Sequence, residues 1–265
     1  MKISCIQMDM VFCKPEDNFA HAAELIETAM QDAPDVLVLP ETWNTGFFPE
    51  ENLPALCDKD GSKTKEIIGG LAKKHHVNIV AGSVSDFRNG KVYNTAYIFN
   101  REGECVASYD KIHGFSPMGE HHSYTAGTQP CRFLLDGIPC GIIICYDLRF
   151  PELTRLLALE GIDVLFVVSQ WPLPRAFHLR TLTTARAIEN QMYLACCNSC
   201  GKAGETVYGG GSVILGPLGE TLAETGTAEA IISADCDTKS LQSLRSAIPV
   251  FTDRRSDLYT LTKEG

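Results

Sequence analysis

The sequence has little positive charge and no long apolar run, and each absence excludes a class of partner. Its 23 Lys and Arg are outnumbered by 33 Asp and Glu, which gives a formal net charge of −10. Binding to a phosphate backbone requires clustered cations, so a nucleic-acid partner is not expected. A membrane-crossing helix needs about 18 or more consecutive apolar residues, and the sequence contains no such run. We therefore expect no membrane partner.

The first ten residues, MKISCIQMDM, also lack the apolar core and cleavage site of a secretory signal. This predicts a cytoplasmic location, where thiols stay reduced. The eleven cysteines are then expected to be free. Because a free cysteine is most often a small buried apolar residue, a catalytic role for any one of them depends on its context.

The apolar pattern alternates between short buried runs and helical periodicities. Strands are predicted over residues 2–9, 35–39, 77–84, 92–99, 104–109, 131–135, 138–144, 163–169, 192–198, 206–215, 220–224 and 229–235, and helices over 15–33, 62–75, 151–160, 175–191 and 238–246. Irregular chain is predicted from the end of the 35–39 strand to about residue 54, and again over 110–127. We see no internal repeat or linker, so residues 1–265 are expected to form a single domain. The pattern is typical of an α/β fold with mixed sheets and helices on the outside.

Three of the predicted strands end at a residue that can do chemistry, namely Glu41, Lys111 and Cys145. In α/β sheets, functional residues gather beyond the carboxyl ends of strands, and a strand-to-helix turn can expose a nucleophile there. A thiolate attacks carbonyl carbons, a carboxylate can take up the thiol proton, and an ammonium offsets charge that develops on the oxygen. The backbone N–H of Tyr146 is a candidate second donor to that oxygen.

Other interpretations of reactive residues stay open at this point. A lone Glu or Lys at a strand end is usually solvated, and a lone Cys usually belongs to a core. Cys197 and Cys200 form a C-x-x-C pair, a pattern found in thiol redox proteins. Adjacent His121 and His122 suggest a metal site, but no HExxH pattern accompanies them, so no metal is expected.

The segments around the three strand-end residues resemble those of a known family. The segments are LPETWNTGF (39–47), YDKIHGF (109–115) and CYDLRFPEL (145–153). They are similar, in the same order, to those that hold the Glu-Lys-Cys triad of the nitrilase superfamily of carbon–nitrogen hydrolases. The resemblance implies that Glu41 is the general base, Lys111 the oxyanion stabiliser and Cys145 the nucleophile. It also implies a second glutamate, matched by Glu120, that helps to orient the triad and the substrate.

The same resemblance implies an architecture and a reaction. The fold implied is a four-layer αββα sandwich, the assembly a homodimer, and no cofactor takes part. The reaction runs through a thioester: ammonia or an amine leaves first, and water then releases the acid. We therefore expect an amidase that hydrolyses a carbon–nitrogen bond in a small amide. The alternative from another class is a non-catalytic binding scaffold with a nitrilase-like fold.

Further segments resemble one branch of the superfamily. They are CYDLRFPELTR (145–155), WPLPR (171–175) and ARAIENQ (185–191). They look most like the ω-amidase-type branch, which deaminates 2-oxoglutaramate and 2-oxosuccinamate. An N-carbamoyl amine or amino acid stays open as the alternative substrate.

A substrate that carries a carboxylate needs a cationic group in its pocket. Arg149 and Arg175 both follow predicted strand ends. We expect these two arginines, together with Tyr146 and Trp171, to bind the substrate. The alternative for each arginine is a structural salt bridge to a neighbouring carboxylate such as Asp147.

Overall fold

The computed structural model describes residues 1–47 and 51–262. In chain order the strands are β1 Lys2–Gln7, β2 Val36–Val38, β3 Asp58–Lys59, β4 Asn78–Val80, β5 Val84–Arg88, β6 Lys91–Phe99, β7 Cys105–Asp110, β8 Cys131–Leu135, β9 Ile138–Ile144, β10 Val164–Ser169, β11 Tyr193–Asn198, β12 Lys202–Ala203, β13 Thr206–Val207, β14 Val213–Leu215, β15 Thr221–Glu224 and β16 Ala230–Asp235. The α-helices are α1 Pro15–Ala29, α2 Leu53–Leu56, α3 Ser62–His75, α4 Glu120–Ser123, α5 Pro151–Leu159, α6 Ala176–Asn190 and α7 Leu241–Ala247, and 3₁₀ turns cover Met30–Asp32, Ser116–Met118, Cys145–Arg149, Leu173–Arg175 and Thr238–Ser240.

The strands form two large sheets and a short β12-β13 ribbon. The eight-stranded sheet has the order β16-β1-β2-β4-β6-β5-β3, with β7 also paired to β6, and the six-stranded sheet has the order β15-β14-β11-β10-β9-β8. In the first sheet β1, β2 and β4 run parallel, with Val36 opposite Asn78. In the second, β9, β10 and β11 run parallel, with Val164 opposite both Cys140 and Tyr193. Each sheet therefore gathers the carboxyl ends of three strands at one edge.

Alternation along the strands builds four layers. In β2, Val36 and Val38 face a core shared with the six-stranded sheet, whereas Leu37 packs with residues of α1 and α3. The two sheets touch directly, since Cys197 Sγ of β11 lies 3.1 Å from the carbonyl oxygen of Ile6 and 3.3 Å from that of Val38. Helices α5 and α6 add their buried faces to the shared core from the other side. The order of layers is helices, sheet, sheet, helices.

Helix α1 shows how the sequence builds the outer layer and supports the loop after β2. Pro15 opens the helix with φ already in the helical range, and Glu16 in the first turn complements the helix dipole. Phe19 and Ile26 lie on its buried face. The Phe19 ring meets the Trp43 ring edge-on at 4.7 Å, which anchors the chain just beyond the end of β2.

The strand predicted over residues 77–84 is interrupted, and the interruption shapes that same loop. Between β4 and β5, Gly82 adopts a φ of +59°, and a Cβ there would lie 1.9 Å from the carbonyl oxygen of Pro40. Ser83 donates its N–H to that oxygen at 3.0 Å. Because only glycine permits this approach, the backbone next to Glu41 is held against the β4–β5 connection.

The strand predicted over residues 206–215 is also wrong, because the glycines within it break it. Thr206–Val207 pairs with β12, whereas β14 begins only at Val213. Between them, Gly210 has a φ of +56°, and a Cβ on it would lie 2.5 Å from the carbonyl oxygen of Gly226. Close backbone packing, rather than continuous pairing, is what this glycine run permits.

Two segments predicted to be irregular contain short elements. Helix α2 begins at the end of the loop predicted to about residue 54, and α4 lies within 110–127. Residues 48–50 of that loop and 263–265 of the polar tail lie outside the described residues. Within the described ranges, no helix is both long enough and apolar enough to cross a membrane.

Candidate active site

The turn after β9 places Cys145 at the head of a buried network. Cys145 has a φ of +45° and begins the 3₁₀ turn, with 8 % of its surface exposed. The buried Asp147 carboxylate braces this turn, since it accepts hydrogen bonds from Ile144 N at 3.0 Å and from the Tyr109 hydroxyl at 2.8 Å. It also accepts the backbone N–H of His113 at 2.9 Å. One carboxylate thus ties the end of β9 to the chain that leaves β7.

Glu41 lies just beyond β2 and is fully buried. Its Oε2 accepts the backbone N–H of Gln170 at 2.8 Å, and its Oε1 accepts the Asn94 side-chain amide at 2.9 Å and Lys111 Nζ at 2.8 Å. Its negative charge also acts on the Cys145 thiol. Donors from both sheets therefore fix this carboxylate beside the sulfur.

Lys111 bridges two buried carboxylates. Its Nζ lies 2.8 Å from Glu41 Oε1 and 2.8 Å from both carboxylate oxygens of Glu120. Glu120 is itself held by the backbone N–H of Phe115 at 2.6 Å. Burial alone would lower the pKa of Lys111, but the carboxylates of Glu120 and Glu41 outweigh burial and hold that pKa well above its usual range. The lysine is therefore a fixed ammonium ion.

The Cys145 thiol is protonated in this environment. Burial raises the pKa of Cys145 well above its usual range, the negative charge of Glu41 raises it further, and Lys111 opposes both. The thiolate is the nucleophilic form of cysteine. Attack at neutral pH therefore requires a neighbouring base, and the Glu41 carboxylate is close enough to act on the thiol pKa.

We expect Glu41→Gln to lower the pKa of Cys145, because it removes a negative charge that disfavours the thiolate while Lys111 remains. A thiol ionises as the pH rises through its pKa, so the midpoint of Cys145 alkylation by iodoacetamide is expected to move to lower pH. The measurement is the alkylation rate at Cys145 against pH, followed by mass spectrometry. Glu160→Gln, which neutralises an exposed carboxylate, is the control. A midpoint that moved to higher pH would contradict the assigned electrostatics.

Cys145 and Lys111 form part of the wall of one pocket. All four residues predicted to bind substrate line the same pocket, and they are Tyr146, Arg149, Trp171 and Arg175. Other lining residues are Phe47, Phe115, Met118, Gln170, Pro172, Thr206 and Tyr208. Six of the eight predicted site residues therefore line one cavity, and the other two, Glu41 and Glu120, contact Lys111 in its wall.

The two arginines stack on aromatic rings. The guanidinium carbon of Arg149 lies 4.7 Å from the centre of the Trp171 ring, and that of Arg175 lies 5.1 Å from the centre of the Phe115 ring. Across residues 1–47 and 51–262, neither arginine forms an ion pair with a carboxylate. The salt bridge considered from the sequence is absent from that part of the chain, since Asp147 is engaged at the turn. Both cations are available to a ligand.

The other reactive residues singled out in the sequence do not line the pocket that contains Cys145. Cys197 and Cys200 are both buried free thiols, and Cys197 faces backbone carbonyls between the sheets. His121 and His122 are exposed. Among the described residues, no group of three or more His, Cys, Asp or Glu side chains could hold a metal ion.

Sequence reasoning missed four residues of the site, which are Asn94, Asp147, Gln170 and Tyr208. Asn94 interrupts an otherwise apolar run in β6, and a buried polar residue in such a position must find a partner. Asp147 follows the nucleophile by two residues but was considered only as a salt-bridge partner. Gln170 and Tyr208 carry no comparable signal, because their position depends on chain segments that are distant in sequence.

Comparison with known proteins agrees with this geometry. A family model described as carbon-nitrogen hydrolase matches residues 2–246. The chain belongs to the carbon–nitrogen hydrolase family. The hydrolase is 45 % identical to 2-oxoglutaramate amidase of Bacillus subtilis (strain 168), over 97 % of this chain and 98 % of the relative. The predicted superfamily is thereby confirmed.

Two solved structures resemble this carbon–nitrogen hydrolase closely. Saccharomyces cerevisiae Nit3, described as a member of branch 10 of the nitrilase superfamily, superposes with a TM-score of 0.88 at 27 % identity, covering 96 % of each chain. An amidase mutant from Nesterenkonia sp. AN1, with acrylamide added at its active-site cysteine, gives a TM-score of 0.84 at 26 % identity, covering 97 % of this chain and 98 % of that one. The predicted α/β sandwich, with helices outside two sheets, is confirmed.

Proposed function

We propose that this carbon–nitrogen hydrolase is an ω-amidase that removes ammonia from the terminal amide of a small keto acid, with 2-oxoglutaramate or 2-oxosuccinamate as substrate. The observation that carries the proposal is the electrostatic interaction of the buried Cys145 thiol with the Glu41 carboxylate and with Lys111, which Glu41 helps to hold as an ammonium ion. These groups supply a nucleophile, a base and a cation around one reaction centre.

In the first half-reaction, Glu41 takes the proton of the Cys145 thiol as the sulfur attacks the amide carbon. The carbonyl π electrons move to the oxygen, and Lys111 Nζ stabilises the resulting negative charge, with the backbone N–H of Tyr146 as second donor. When the intermediate collapses, the carbon–nitrogen bond breaks and Glu41 returns its proton to the leaving nitrogen. Ammonia departs, and the acyl group remains on the sulfur as a thioester.

In the second half-reaction, water attacks the thioester carbon while Glu41 accepts one of its protons. The carbon–sulfur bond then breaks, Glu41 returns that proton to sulfur, and the acid is released. Glu41 thus acts as base and acid in turn, and its three hydrogen bonds keep it in place throughout.

Glu120 acts through Lys111 in this proposal. Both of its oxygens lie 2.8 Å from Lys111 Nζ, so it balances the ammonium charge when Glu41 becomes protonated. It also orients Nζ toward the reaction centre. Without this second carboxylate, a buried lysine would lose its proton more readily.

The substrate class is proposed from the two unpaired cations of the pocket. Arg149 and Arg175 stack on Trp171 and Phe115, which holds their guanidinium groups without neutralising them. A substrate with a carboxylate at one end and an amide at the other can place its carboxylate on the arginines and its amide at Cys145. The similarity to a relative named 2-oxoglutaramate amidase supports the same class.

We expect Arg149→Gln and Arg175→Gln each to raise KM for 2-oxoglutaramate by about ten- to hundredfold, the size expected for a lost charge-assisted hydrogen bond. For butyramide, which has no carboxylate, KM is expected to stay within about threefold of the wild-type value. Steady-state ammonia release measures both. Equal losses on the two amides would show that the arginines support the fold rather than the carboxylate.

The test of the function is ammonia release from a panel of 2-oxoglutaramate, 2-oxosuccinamate, succinamate, glutamine, N-carbamoyl-β-alanine, N-carbamoylputrescine and an aliphatic nitrile. The proposal predicts the highest kcat/KM for the two keto-acid amides. Faster turnover of the N-carbamoyl compounds would instead favour an N-carbamoyl amidohydrolase. No turnover, together with a Cys145 that resists iodoacetamide, would favour a non-catalytic scaffold.

Assembly and location complete the proposal. We infer a homodimer formed through the outer helices, a cytoplasmic location, and a single domain over residues 1–265 that needs no cofactor. Exposed apolar side chains on α6, Phe177 at 78 % and Ile188 at 48 %, support the dimer. All eleven cysteines lie in the described residues and are free thiols, which is consistent with a reducing compartment. Sedimentation velocity tests the dimer.

A further inference from the structure

One polar group in the wall of the reaction pocket has no partner. Tyr208 is 2 % exposed, lines the pocket with Cys145 and Lys111, and its hydroxyl makes no hydrogen bond within the described parts of the chain. Buried polar groups are almost always hydrogen-bonded, and each exception calls for an explanation. The hydroxyl lies where a ligand in the pocket can form the missing hydrogen bond.

The backbone fixes Tyr208 firmly in this place. Its N–H donates to the carbonyl oxygen of Gly201 at 2.9 Å, and it forms an antiparallel bridge with Pro172. The next residue, Gly209, donates its N–H to the carbonyl oxygen of Trp171 at 3.0 Å. The tyrosine is therefore held from both sides, and its unpaired hydroxyl is a product of the fold rather than of a loose loop.

The other polar groups of the pocket already have assigned partners on the substrate. In the proposed reaction the carbonyl oxygen of the substrate accepts hydrogen bonds from Lys111 and from the N–H of Tyr146. The substrate carboxylate pairs with Arg149 and Arg175. The hydrogens of the amide nitrogen are left over. Two buried side chains of the described pocket wall, Gln170 and Tyr208, carry an oxygen that could accept these hydrogens. Gln170 Oε1 already accepts the backbone N–H of Phe47 at 2.6 Å, whereas the Tyr208 hydroxyl has no hydrogen bond.

We propose that the Tyr208 hydroxyl accepts a hydrogen bond from the scissile amide nitrogen and holds that nitrogen next to Glu41 until it leaves as ammonia. This inference rests on the proposed amidase function. Burial raises the pKa of Tyr208 above its ordinary value, and the charges of Glu41 and Cys145 raise it further. The hydroxyl therefore stays neutral, and its lone pairs are free to accept a hydrogen bond.

The experiment compares two substrates that deliver the same acyl group, 2-oxoglutaramate and the 5-methyl ester of 2-oxoglutarate. The leaving oxygen of the ester carries no hydrogen, so it cannot donate to Tyr208. Tyr208→Phe is expected to lower kcat/KM for the amide by about ten- to hundredfold, as for one lost buried hydrogen bond, and for the ester by less than about threefold. Arg149→Gln is expected to lower both alike, because both substrates carry the same carboxylate.

Controls separate this inference from the function on which it rests. Tyr259→Phe removes an exposed hydroxyl and should change neither rate, and equal melting temperatures would show that Tyr208→Phe is folded. Equal losses on amide and ester, no loss on either, or a larger loss on the ester would each overturn the role of Tyr208 while the amidase function stands. A wild-type protein that hydrolyses neither substrate would overturn both.

Discussion

Cys145→Ala is expected to abolish hydrolysis of every amide and to leave the fold intact. The proposed reaction has no route to products without the sulfur, and loss of a nucleophile in comparable hydrolases lowers kcat on the order of 10⁶-fold. The side chain removed is small, so the loss of unfolding free energy should be about 1 kcal/mol. The measurements are ammonia release and urea denaturation on the same preparation.

Cys200→Ala is the matched control for this prediction. Cys200 is also a buried free cysteine, but it lies outside the reaction pocket. An amidase that works through Cys145 keeps its activity in this variant. If Cys200→Ala lost activity and Cys145→Ala kept it, the result would favour the redox interpretation of the C-x-x-C pair. Trapping of a thioester on Cys145 by mass spectrometry would establish the intermediate directly.

Lys111→Met is expected to lower both activity and stability, for separate reasons. Removal of one oxyanion donor raises the barrier by roughly 2.7–4 kcal/mol, a loss of about 10²–10³ in kcat. Removal of one partner from a buried ion pair reduces the unfolding free energy by about 3–5 kcal/mol, because Glu41 and Glu120 would then face each other without the cation. The measurements are kcat for 2-oxoglutaramate and urea denaturation at several pH values.

A second substitution separates the effect of Lys111→Met on stability from its effect on activity. Without the cation, the two buried carboxylates of Glu41 and Glu120 are left without their shared partner, which is the source of the destabilisation. The double variant Lys111→Met/Glu120→Gln removes the repulsion and should recover stability without recovering activity. Recovery of both, or wild-type kcat in Lys111→Met, would show that the lysine is structural.

The candidate cluster could be predicted from the sequence because its members stand at abrupt changes of pattern. Glu41 and Cys145 each follow a run of apolar residues typical of a buried strand, and strand ends are where α/β sheets place their chemistry. The helix-and-strand alternation predicted an α/β fold with helices on the outside, whereas the four layers were implied by the family resemblance. Local pattern and tertiary position coincide at these residues.

Other features depend on contacts that no local pattern records. Residues 77–84 have the composition of one strand. The strand is interrupted at Gly82 because the carbonyl oxygen of Pro40 lies against that residue. Asn94 meets Glu41 only because β6 is placed beside β4 in the sheet. Tyr208 reaches the pocket because it forms a backbone bridge with Pro172. In each case the deciding neighbour is distant in sequence.

The backbone of the nucleophile bears on how this protein can evolve. A φ of +45° at Cys145 lies in the left-handed region, which costs a residue with a side chain about 1–2 kcal/mol and costs glycine almost nothing. Glycine at this position would relieve that strain, but it would also remove the thiol. A laboratory selection for melting temperature alone is therefore expected to accept Cys145→Gly, and with it the loss of the proposed nucleophile.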